Sequence, residues 1–120
     1  MKPSFILSIV AVLALPLVFT GCKQDAQTDA TQPLQESFRA AEPEVQKNIQ
    51  TVTTSLKSGN YMEATRALEP IVTRRDLTVE QRQAIGVALR QVNQAIATDP
   101  SLDTKEMYEL RNKMFNAVDR

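Results

Sequence analysis

Apolar and polar positions divide this chain into three parts. From Phe5 to Phe19 it is apolar almost without interruption, a run of 15 residues. From Lys23 to about Gln35 (KQDAQTDATQPLQ) it is polar and rich in Gln, Thr and Asp. From residue 36 onward apolar residues recur every three or four positions, the period of a helix buried along one side. The first run is short for a lasting membrane span, which needs roughly 20 apolar residues. With Lys2 before it and small Thr20 and Gly21 after it, residues 1–21 read as a cleaved secretory leader. Residues 22–35 read as a disordered tether, whose thirteen residues after Cys22 have a root-mean-square span of about 20 Å. Residues 36–120 are then the folded domain.

Within that domain Phe38, Ala41, Val45, Ile49, Val52 and Leu56 form one helical stripe. Pro43 suits a first helical turn, so the spacing predicts a main helix over about 43–58 after a shorter helical lead-in. Ser58-Gly59-Asn60 marks a sharp turn, with Gly59 left-handed and Asn60 capping the next helix. That helix carries Tyr61, Ala64, Leu68, Ile71 and Val72, and Pro70 predicts a kink or an end near Glu69. Thr78 to Gln81 matches a capping box and opens a helix over about 79–97. Its stripe is Ile85, Ala88, Leu89, Val92 and Ile96. Gly86 within it points to close approach of another helix. Asp103 and Glu106 are expected to cap a last helix over 103–118. No segment alternates like a strand. The fold class expected is all-α, with about four helices in two helix-turn-helix hairpins.

Composition narrows the means of stabilisation. Without residues 1–21 the chain has 99 residues, enough for one small domain. Only Lys2 is lost among charged residues, leaving 13 Lys and Arg against 14 Asp and Glu. A near-neutral chain offers no electrostatic footing for nucleic acid. Cys22 is the only cysteine, so no intrachain disulfide staples the fold. Four aromatics remain (Phe38, Tyr61, Tyr108 and Phe115), and the core is expected to be aliphatic. The tyrosines are expected with rings in the core and hydroxyls at its edge.

The end of the apolar run, Leu17-Val18-Phe19-Thr20-Gly21-Cys22, resembles the lipobox of bacterial lipoproteins, with Phe19 where that family usually carries an aliphatic residue. The resemblance implies that Cys22 becomes the first mature residue and carries a thioether-linked diacylglycerol, usually with a third acyl chain such as palmitate on its amine. One chain anchors marginally and two or three durably. Lys23 stands where Asp typically retains such proteins in the inner membrane, so the resemblance implies the outer membrane, facing the periplasm. The alternative is an ordinary secretory signal that leaves Cys22 a free thiol.

Gly59-Asn60-Tyr61-Met62-Glu63-Ala64, with Leu68 after it, resembles the turn and second helix of a tetratricopeptide repeat. The likeness covers residues 43–73. Asn48, Val52 and Pro70 depart from it, and the later helices lack the signature. It implies a hairpin that works by contact, in a compact bundle or a repeat-like fragment.

Chemistry is sparse elsewhere. The chain has no histidine, so the commonest general base and metal ligand is missing. No catalytic residue, metal ligand or cofactor is assigned. Asp99, Asp103 and Glu106 cluster in sequence but lack a calcium-loop spacing. Gln81, Gln83, Gln91 and Gln94 form an amide face expected to be solvated. Arg74, Arg75 and Arg82 are the candidate contact for an acidic partner or anionic headgroups, set against a simple dipole role at a helix end. The expectation is a lipid-anchored, non-enzymatic interaction module with a protein partner. A self-associating structural lipoprotein is the alternative, burying a stripe that four short helices leave uncovered.

Overall fold

The computed structural model describes residues 28–120. The expected leader and the lipidation site Cys22 lie outside the described residues. Five α-helices follow one another: α1 (Thr31–Ser37), α2 (Pro43–Lys57), α3 (Tyr61–Val72), α4 (Val79–Thr98) and α5 (Lys105–Val118). A 3₁₀ turn at Pro100–Leu102 joins the last two. There is no strand among the described residues, so the all-α class holds, with five helices in place of about four.

α2 pairs with α3, and α4 with α5, as the two hairpins require. The helices close into a ring: α1 lies against α2 and α4, while α3 lies against α5. α1 therefore fills the gap on one side of the hairpins. It begins before the expected domain boundary at residue 36. A seven-residue helix is unstable alone, and tertiary contacts hold this one. Ala30, Leu34 and Phe38, spaced by four, are buried in the common core. Burying a side chain such as Leu34 contributes about 1.5–3 kcal/mol. Ala30 at its N-cap supplies no side-chain cap. Instead the Thr28 N–H donates to Gln94 Oε1 at 3.1 Å and the Ala30 N–H to Gln91 Oε1 at 2.9 Å. The two glutamines expected in solvent are thus a clip for the start of the fold.

The α2–α3 turn follows its residues. Gly59 has φ +77°, the Asn60 N–H reaches Ser55 O at 2.8 Å, and the Gly59 N–H reaches Leu56 O at 3.2 Å. These two bonds make a Schellman closure. Asn60 then accepts from the Glu63 N–H at 3.3 Å. At α4 the capping box is complete: Thr78 Oγ1 accepts from the Gln81 N–H and Gln81 Oε1 from the Thr78 N–H. Gln81 Nε2 also donates to Ser37 O at 3.2 Å, fastening the end of α1 to the start of α4.

Three local expectations are corrected. α3 runs through Pro70 to Val72. Proline there removes one donor in the last turn, and buried Ile71 and Val72 hold that turn in place. α5 is capped by Thr104, whose hydroxyl accepts from the Met107 N–H at 3.1 Å. Asp103 and Glu106 are engaged instead with Arg111 and Arg66. Tyr61 is half-buried against the core, but Tyr108 is 58% exposed. It lies beside the Met107–Leu110–Met114 stripe, turned outward.

Candidate functional site: the arginine corner

Arg74 and Arg75 follow the end of α3 and Arg82 lies in the first turns of α4, and the fold gives each a different setting. Arg74 follows the end of α3, where a cation favours the negative end of the helix dipole. Its guanidinium meets Asp76 through Nε at 3.1 Å and Nη2 at 3.2 Å, and Glu42 through Nη2 at 3.3 Å. Those bonds raise the Arg74 pKa, the Asp76 bond most, and keep it charged. Arg74 in turn holds the Asp76 carboxyl below the usual carboxylate range, with help from its own backbone N–H. Most of the donor capacity of Arg74 is thereby occupied within the chain.

Arg82 sits in the first turns of α4, where the helix dipole disfavours a cation. Its Nη1 donates to the main-chain oxygen of Arg120, while its buried Nε has no partner among the described residues. Arg120 Nη1 reaches back to Arg74 O at 3.4 Å. Arg120 is the member of the corner that sequence reasoning missed. Nothing in its local pattern marks it; only the return of α5 past the α3–α4 connector brings it there. Of the three candidate arginines only Arg75 is exposed, and it has no ion pair among the described residues.

The acids of the 99–106 segment are dispersed among partners. Asp99 Oδ1 accepts from the Ser101 N–H and hydroxyl, Asp103 pairs with Arg111 at 2.7 Å, and Glu106 with Arg66 at 2.6 Å. No group of three or more His, Cys, Asp or Glu gathers to hold a metal among the described residues. An open groove of about 390 Å³ runs between α1 and α4, with Pro33, Ala84 and Val87 as an apolar floor and Glu36 and Glu80 among its lining. No described helix is long and apolar enough to cross a membrane.

No family model matches this chain, and it matches no curated protein and no solved structure. Its function has to be read from its own residues.

Proposed function

We propose that the protein is a lipid-anchored, non-enzymatic interaction module of a bacterial envelope, held on the periplasmic face of the outer membrane through Cys22. The observation that carries this reading is the order of Lys2, the apolar run and Thr20-Gly21-Cys22. The start of the fold adds to it. Thr28 is already bonded to α4, six residues after Cys22, and six residues reach at most about 20 Å. Such a leash keeps the domain at the bilayer and raises its local concentration for neighbours there. Arg75 is exposed at the corner and is the candidate residue for an acidic protein partner to meet. Self-association has lost its expected motive on the α1 side, where this chain's own α1 covers the hairpins.

The test is fractionation of cells producing the full chain, with mass spectrometry of the mature amino terminus. A diacylglyceryl Cys22 and membrane association are expected, and Cys22→Ala should move the protein to the soluble fraction. A variant that stays membrane-bound would refute the anchor. Arg75→Glu should lower cross-linking to an acidic partner while leaving thermal stability unchanged.

A further inference from the structure

Among the described residues Val79, Tyr108, Phe115 and Val118 are the exposed large apolar residues, and the last three belong to α5. Tyr108 and Phe115 are each 58% exposed. They stand seven residues apart, two helical turns, and so share one side of α5. Val118, three residues later, lies at the edge of this side with its methyls toward Gly86 of α4. This side adjoins the buried Met107–Leu110–Met114–Ala117 stripe without being covered by the domain's own helices.

The entry of the chain lies at the same level of the bundle. Thr28 is bonded to Gln94 of α4, and the adjacent Asn93 Oδ1 accepts from Arg111 Nη1 at 3.0 Å. Arg111 lies on α5 between Tyr108 and Phe115. A bilayer holding Cys22 is therefore within about 20 Å of Thr28, beside the helix that presents the uncovered rings.

We propose that the Tyr108–Phe115 face of α5 rests on the phospholipid surface in which Cys22 is anchored. The inference rests on the lipobox reading. Tyrosine suits this position, since its ring favours the apolar side of the interface and its hydroxyl the wet side. Arg111 is neutralised by Asp103, so the contact is apolar and does not require anionic lipid. Two rings are a weak contact alone, and the leash makes it effective by confinement.

The chain has two tyrosines and no tryptophan, so tyrosine emission reads this contact directly. The full lipidated protein is reconstituted into phosphatidylcholine vesicles with or without brominated acyl chains. Bromination should quench a substantial part of the emission, Tyr108→Ser should abolish the quenched component, and Phe115→Ser should reduce quenching at least twofold. Circular-dichroism melts would check that both exposed-site variants remain folded. Unquenched emission from vesicle-bound protein would overturn the inference, as would quenching that persists in Tyr108→Ser. Protection of Tyr108 by cross-links between copies through α5 would assign the face to a second copy and overturn it equally. Absence of diacylglycerol on Cys22 by mass spectrometry would instead refute the anchor on which the inference stands.

Discussion

Gly59 and Gly86 show how differently one residue type acts in two settings. Gly59 takes φ +77°, where a side chain costs roughly 1–2 kcal/mol. Gly86 lies inside α4, and a Cβ there would meet the two Val118 methyls at 3.6 and 3.7 Å, ordinary contact distances. The close approach inferred for it is thus a methyl contact that alanine also accommodates. Gly86→Ala should stabilise the domain by about 0.5–1 kcal/mol through helix propensity. Gly59→Ala should destabilise it by about 1 kcal/mol or more. Urea midpoints of the two variants should move in opposite directions; a lower midpoint for Gly86→Ala would show that the α4–α5 contact needs the glycine.

α1 is the element on which the ring depends. It has weak local signals: seven residues, no cap from the Ala30 side chain, and Thr, Gln and Glu among its own residues. Its stability comes from Ala30, Leu34 and Phe38 in the core and from the amides of Gln91 and Gln94. Leu34→Ala should therefore cost about 2–5 kcal/mol, as truncation of a fully buried leucine does. In a tether the same change would be silent. Chemical denaturation of the full chain distinguishes these outcomes, and an unchanged midpoint would remove α1 from the folded unit.

The ion pairs act across the molecule. Arg66–Glu106 and Lys113–Glu69 join α3 to α5, and Arg111–Asp103 ties α5 to its approach. All have substantial exposure on at least one partner, so each contributes little alone. Their pH signature is nevertheless defined. The Arg66 hydrogen bond holds the Glu106 carboxyl below the usual range, as Arg74 does for Asp76. A carboxyl with a depressed folded pKa stabilises fully above its unfolded value, near about 4, and loses that contribution as pH falls through the folded value. With no histidine in the chain, thermal melts should be nearly flat from about pH 6 to 8 and fall below about pH 4. Glu106→Gln should shallow the acid limb; an unchanged limb would mean that the pair does not contribute.

Helices α2 to α5 were legible because each carries long apolar periodicity and chemically distinct ends: Gly59 and Asn60 at one turn, Thr78 and Gln81 at another. Local sterics and nearest-neighbour hydrogen bonds decide such features, and both are written in a few consecutive residues. The candidate site was half legible. Arg74, Arg75 and Arg82 are close in sequence, yet Arg120 joins them only through the path of α5. Solvent-exposed and internally bonded arginines look alike until the acids and carbonyls beside them are placed. α1 was legible only as a short lead-in placed too late, since its Ala30–Leu34–Phe38 spacing is too brief to stand out from a polar segment. Short-range order was set by residue chemistry along the chain. The role of α1, the glutamine clip and the uncovered rings of α5 was decided by tertiary packing, because burial and partnership exist only between segments distant in sequence.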